Sequence, residues 1–354
     1  MTRSPLKANW IDDWNPEDEG FWARTGAKIA NRNLWFSILS EHIGFSIWTM
    51  WSVLVLFMGP EYHIDAAGKF LLVSVPTLVG SILRLPYTFA VARFGGRNWT
   101  IVSAALLLIP TILAAIVMHP GTSFTTFLVV AAIGGLGGGN FASSMANINN
   151  FYPIRLKGWA LGINAGGGNI GVATVQLLGL LVLTTAGVTH PRLVIAIYIP
   201  IIVIATICAA LGMDNLKTVR NSKRAMRDAC HDRHTWVISL LYIGTFGSFI
   251  GFSFAFGQVL QVQFHPHFNT ALKAAQLTFI GPLLGSIARP IGGRLADRFG
   301  GARVTFWNFT AMAASATVVL VASLQKSLGL FLLGFVLLFI LSGIGNGSTY
   351  KTSS

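Results

Sequence analysis

Ten apolar runs, each long enough to cross a bilayer, leave this chain very few folds to choose from. They lie at 34–58, 66–92, 98–118, 122–150, 158–184, 189–212, 235–260, 276–297, 303–325 and 329–350. A helix needs about 20 apolar residues to span the hydrocarbon core. Inside lipid the backbone must satisfy its own hydrogen bonds, so runs of this length between Gly, Pro and charged punctuation are helices. The expectation is an all-α polytopic membrane protein with the lipid bilayer as its main solvent. Charged residues make up 10% of the 354, against roughly 25% in a soluble domain. Residues 1–33 are polar and mixed in charge, and do not read as a cleavable signal.

A net charge of +13 would point a soluble protein toward nucleic acid, so the placement of the bases decides what it means. They sit between the apolar runs, on alternate sides. One side collects Arg3, Lys7, Arg24, Lys28, Arg32, Arg93, Arg97, Arg155, Lys157, Arg294, Arg298 and Arg303, together with Lys217, Arg220, Lys223, Arg224, Arg227 and Arg233 after the sixth run. The other holds Lys69, Arg192, Lys273 and Lys326. This is the asymmetry of the positive-inside rule, and it predicts a multi-pass protein of the inner (plasma) membrane with a cytoplasmic N-terminus. No nucleic-acid partner is expected. Cys230, His231 and His234 fall short of a metal-ligand set. No nucleophile–base pair or cofactor motif is legible, so neither an enzyme nor a cofactor is expected.

An internal repeat organises the spans. Gly80-Ser81-Ile82-Leu83-Arg84 with Arg93-Phe94-Gly95-Gly96 returns as Gly285-Ser286-Ile287-Ala288-Arg289 with Arg298-Phe299-Gly300-Gly301, at an offset of 205 residues. A weaker echo matches Gly135-Leu136-Gly137-Gly138-Gly139 in span four to Gly343-Ile344-Gly345-Asn346-Gly347 in span ten. Spans two and eight are thus equivalent, as are four and ten, and six spans form the unit. The expected organisation is a cytoplasmic N-terminal segment at 1–33, a six-helix half at 34–212, a cytoplasmic basic connector at 213–234, and a second half at 235–354. That second half has four helices, so its last two are expected to be missing from this chain.

The repeat also locates the candidate chemistry. An arginine at the centre of a span costs about 2.5–3.5 kcal/mol on insertion scales, so it faces a cavity or a partner. Arg84 and Arg289 each lie nine residues before a boundary arginine, which is about 13 Å into the membrane at 1.5 Å per residue. Of twelve Asp and Glu residues only Glu41 falls well inside a span. One carboxylate does not neutralise two guanidinium groups, so a mobile anion bound between them is the expected counter-ion, and planar oxyanions suit the guanidinium fork. The competing arrangement pairs Glu41 with one arginine and leaves backbone carbonyls to hold the other. Spans four and five are crowded with Gly and Asn. Small residues there let helix backbones approach closely, while Asn169 beside a cavity could donate to an anion without binding a proton. Asn140 and Asn147 share a face and fit either role. Tyr242 and Phe246, four apart in span seven, share a face as well. They could line an anion route or fill the core, as could Phe141.

Taken together these residues resemble the nitrate/nitrite porters of the major facilitator superfamily, along essentially the whole chain. The resemblance runs from Trp10-Ile11-Asp12-Asp13-Trp14-Asn15-Pro16-Glu17-Asp18 and Asn33-Leu34-Trp35. It is most specific at Ala165-Gly166-Gly167-Gly168-Asn169-Ile170-Gly171, which is similar to the first of the family's two glycine-rich signatures. It implies a major facilitator fold of two pseudo-symmetric halves, working by alternating access on nitrate and nitrite. It also implies Arg84, Arg289 and Asn169 as substrate residues and Phe141, Tyr242 and Phe246 as aromatic lining. The second signature belongs in an eleventh span that this chain lacks. Members of the family exchange nitrate for nitrite or carry nitrate with protons. For the latter, Glu41 and His42 are the candidate proton carriers at depth, and both modes stay open. A membrane sensor or partner subunit that binds a small anion without moving it is the alternative of a different class. The oligomeric state is not legible in the sequence; a monomer is the default expectation.

Overall fold

The structure, a computed structural model, describes residues 10–219 and 223–349. Of the basic series above, Arg3, Lys7, Arg220 and the side chains of Lys223 and Arg224 lie outside the described residues. Among the described residues ten helices are long and apolar enough to cross a membrane. They are α1 Glu19–Phe57, α2 Ala66–Phe94, α3 Gly96–Val117, α4 Phe124–Phe151, α5 Ile154–Thr185, α6 Pro191–Gly212, α7 Arg233–Gln263, α8 Ala271–Phe299, α9 Gly301–Leu324 and α10 Leu328–Thr349. The helices that follow loops start on side-chain caps where the sequence offers them: Asp65, Ser123 and Thr270 accept from the backbone of α2, α4 and α8. Two compact units result, Met1–Asn221 with α1–α6 and Ser222–Ser354 with α7–α10.

Most helix ends fall within about one turn of the apolar runs, but α1 does not begin at Leu34. It starts at Glu19, where the Asp18 carboxylate accepts from Phe21 N at 3.0 Å. Residues 19–33 belong to the polar N-terminal segment, and no apolar run marks them. They form an amphipathic helix that buries Trp22, Gly26, Ala30 and Asn33. This face packs against Ile148, Phe151 and Tyr152 at the end of α4, Ala160 of α5, and Leu216. The Tyr152 hydroxyl donates to Asn31 Oδ1 at 2.6 Å, and burial pushes its phenol pKa upward.

The segment that follows α6, which ends at Gly212, is tied back to the N-terminus. Trp10–Ile11 (β1) pairs in parallel with Asn215–Leu216 (β2), and Lys217 bridges to Asp12. Asp214 is fully buried. Its carboxylate accepts from Arg32 and from Asn33 Nδ2 (3.0 Å), and its own N–H donates to Asn33 Oδ1 at 2.8 Å. A charge-assisted hydrogen bond is worth about 1.5–3 kcal/mol, and Arg32 keeps partial access to water. Asp214→Ala should therefore lower the melting temperature of the detergent-solubilised protein by several degrees, read from intrinsic tryptophan fluorescence. An unchanged melt would mean that the N-terminal clasp contributes nothing to stability.

The two units repeat each other in detail. Gly95 and Gly300 both take φ +88° in the tight turns from α2 to α3 and from α8 to α9, a left-handed conformation that favours glycine. The helix crossings set the register of the weaker echo. A Cβ on Gly138 would come within 2.8 Å of Gly80 Cα, and one on Gly343 would strike the Gly285 backbone. Gly138, rather than Gly135, is therefore the counterpart of Gly343, at the same offset of 205 residues as the arginines. Two turns further along α2 and α8, the packing differs. The Tyr87 ring lies on Gly139 in the first unit, whereas at the matching positions Gly292 lets the α10 backbone at Ile344 close in.

Candidate functional site

Arg84 and Arg289 sit in matching aromatic settings, one in each unit. In the first unit the Arg84 guanidinium carbon lies 4.8 Å from the centre of the Phe141 ring on α4 and 5.3 Å from that of Trp48 on α1. Trp48 is fixed in the seam between α2 and α4: its Nε1–H donates to Pro76 O at 2.7 Å, and a Cβ on Gly138 would come 2.7 Å from its ring. Phe45 meets both Trp48 and Phe141, at 5.7 and 5.8 Å. In the second unit Arg289 is 2% exposed, with its guanidinium carbon 5.2 Å from Phe246 and 5.2 Å from Phe249.

Ring faces stabilise a desolvated guanidinium by about 2 kcal/mol or more. They take the face of the plane, and an oxyanion uses its N–H edge. Phe246 lies in a wide π-helical turn, Ile243–Gly247, that interrupts α7. Such turns re-aim side chains and recur at functional positions. Tyr242 stacks on Phe246 at 5.1 Å. The structure therefore gathers Arg84 with Phe141, and Arg289 with Phe246 and Tyr242.

Sequence reasoning missed Trp48 and Phe249. Phe249 follows Phe246 by three residues on the same face, a spacing that could have exposed it. Trp48 could not be found that way, since its place depends on two glycines from other helices. Asn346 was read only as part of a glycine cluster. It holds the position equivalent to Phe141, is fully buried, and neither amide atom has a hydrogen-bond partner among the described residues.

The glycine-rich stretch of α5 packs on α1. A Cβ on Gly168 would run into the Glu41 carboxylate, and one on Gly171 into the His42 carbonyl. The Ser46 hydroxyl lies within hydrogen-bonding distance of His42 O and Gly171 O, at 3.0 and 2.9 Å. Asn169 is fully buried, but its Nδ2 donates to Ala165 O at 2.5 Å within its own helix, so the Oδ1 acceptor is the end left without a partner. An amide nitrogen carries two donors, so the second Nδ2 proton is the group this side chain has to offer an anion.

Glu41 and His42 point to different neighbours. His42 Nδ1 donates to Gly167 O at 3.1 Å. The Glu41 carboxylate, fully buried, accepts from Asn164 Nδ2 at 2.7 Å, and that amide also donates to Ser144 Oγ at 2.6 Å.

Residues 34–353 match the Major Facilitator Superfamily as a family. The nitrate/nitrite transporter NarU of Salmonella typhimurium (strain LT2) is 40% identical over 99% of this chain and 80% of its own length. NarU of Escherichia coli K12 is 38% identical over 96% and 77%. The probable nitrate/nitrite antiporter NarK2 of Thermus thermophilus is 33% identical over 98% and 82%. Among solved structures, the partially occluded inward-open xylose transporter XylE of E. coli superposes with a TM-score of 0.63 at 16% identity, over 92% of this chain and 84% of its own. At that identity the likeness concerns the fold alone.

Proposed function

The chain belongs to the major facilitator superfamily, a family of transporters rather than enzymes, and from that premise we propose that it carries nitrate and nitrite across the membrane by alternating access. Arg84 of the first half and Arg289 of the second are its anion-binding groups. The observation that carries this reading is the repetition itself: a deep arginine set against aromatic rings, twice, at one sequence offset. The names of the relatives supply the class of anion. Phe141, Tyr242 and Phe246 line the route, and Asn169 completes it with the second proton of its amide nitrogen. The basic residues set the N-terminus on the cytoplasmic side.

Bound anion offsets the arginines' charge and favours the change of sides, while uncompensated guanidinium charge resists it. That rule alone yields exchange of one anion for another. A proton carrier would relax it and permit nitrate uptake with protons, and the buried Glu41 carboxylate favours this second mode.

A sensor or partner subunit would bind the same anions and move none. Purified protein reconstituted in vesicles preloaded with nitrite should take up external labelled nitrate in counterflow. Binding without counterflow would assign the chain to the sensor class and overturn the transport reading.

A further inference from the structure

Beside Glu41 the first unit encloses a polar cavity with about 10 Å³ of room, roughly what one water molecule needs. It is lined by hydroxyls and an amide: Ser37 and Ser40 from α1, Thr100 and Ser103 from α3, and Asn140 and Ser144 from α4. Two of these side chains are buried and have no hydrogen-bond partner among the described residues, the Ser40 hydroxyl at 4% exposure and the Asn140 amide at 3%. Buried polar groups of this kind are normally satisfied by an ordered water. Ser37 and Ser144 share a hydrogen bond of 2.9 Å, and Ser144 accepts from the Asn164 amide that also holds Glu41.

The polar lining has a direction. Ser37 lies one turn, about 6 Å, nearer the Glu19 end of α1 than Glu41 does. Thr100 donates to Gly96 O at the start of α3. Beyond the cavity, Asn147 of α4 is 4% exposed with no partner on Nδ2, and it packs against Gly96. Hydroxyls and amides thus lead from the carboxylate toward the α2–α3 turn. Charged groups are scarce around it. Neither α4 nor α5 carries a charged side chain between Phe124 and Phe151 or between Gly158 and Thr185. Within the membrane α2 brings Arg84 and Tyr87, α6 brings Tyr198, and His42 on the same helix turns away to Gly167, while the buried Arg97 in the first turn of α3 donates to Ala210 O of α6.

We infer that Glu41 is the proton-binding group of this transporter and that the cavity holds the water that passes its proton toward the α2–α3 turn. The inference rests on the transport reading above. One carboxylate binds one proton, becoming a neutral carboxylic acid, and gives it back unchanged on the other side. One H⁺ therefore travels with one NO₃⁻, and the cycle moves no net charge. The serines and amides are positioning residues, which hold the carboxyl and the water in line.

The test uses the whole chain in vesicles with an entrapped pH dye. Wild-type protein should take up nitrate when the interior is made alkaline, acidify the interior as it does so, and ignore a potassium-diffusion potential. Glu41→Gln should abolish both the pH-driven uptake and the dye signal, while nitrate/nitrite counterflow persists at the wild-type rate. Glu41→Asp should restore part of the pH-driven uptake. Should Glu41→Gln fail to fold, Ser40→Val, which fills the cavity, is expected to give the same split between the two assays. PH-driven uptake surviving in Glu41→Gln overturns the inference, as does loss of counterflow along with it. Wild-type counterflow without proton movement overturns it too while leaving the transport reading intact; no movement of either anion removes both.

Discussion

Replacing either Arg84 or Arg289 by lysine should cut nitrate uptake about 30-fold, the equivalent of losing about 2 kcal/mol of charge-assisted hydrogen bonding. Lysine keeps the positive charge at the same depth but loses the planar fork and the stacking on Phe141, Trp48, Phe246 and Phe249. A requirement for charge alone would leave uptake unchanged, and that result would remove both residues from the anion site. Nitrate binding, measured calorimetrically on the same purified variants, should weaken by a similar factor. Uptake that falls while binding holds would move the arginines' role from the anion to the conformational change.

Alanine scanning along α5 should divide its glycines sharply. Gly171→Ala is expected to destabilise the protein by about 1–3 kcal/mol, the usual range for an overpacked core, because the new Cβ would strike the His42 carbonyl, which has no side-chain rotamer to yield. Gly343→Ala should behave likewise in the second unit, where the obstacle is the Gly285 backbone. Gly162→Ala, on the same helix as Gly171, meets nothing within 4 Å. It should raise stability by up to about 1 kcal/mol through helix propensity. Thermal melts in one detergent rank the three. Equal effects at Gly162 and Gly171 would mean that α1 and α5 are not in close contact at Gly171.

Those glycines mark how far the sequence could be read. Small residues in spans four and five invited two readings, close helix packing or an opening beside an anion, and periodicity alone does not choose between them. Gly168 against Glu41 and Gly171 against His42 show the packing directly. The spans themselves were legible because bilayer thickness fixes their length. The start of α1 was not, since residues 19–33 draw their helicity from a tertiary face, Trp22 and Ala30 on Phe151 and Tyr152, rather than from an apolar run. The burial of Asp214 was hidden for the same reason: its partners Arg32 and Asn33 lie far away in sequence. Arg84 and Arg289 stood out because an ionised residue well inside an apolar run is rare and this one recurs. The cavity beside Glu41 stayed invisible, since isolated serines in an apolar helix carry no pattern until three helices bring them together.

The unequal packing two turns along α2 and α8 from the repeated glycines has an evolutionary reading. In one half a phenol ring occupies space that its duplicate gives to main chain, Tyr87 over Gly139 against Gly292 under Ile344. Neither member of such a couple can drift by itself. A larger side chain at residue 139 has nowhere to go while the ring remains, and one at 292 would push the neighbouring helix away. The duplicated copies have therefore become separate solutions to one packing problem, and a segment transplanted from one into the other would need its opposite number to travel with it.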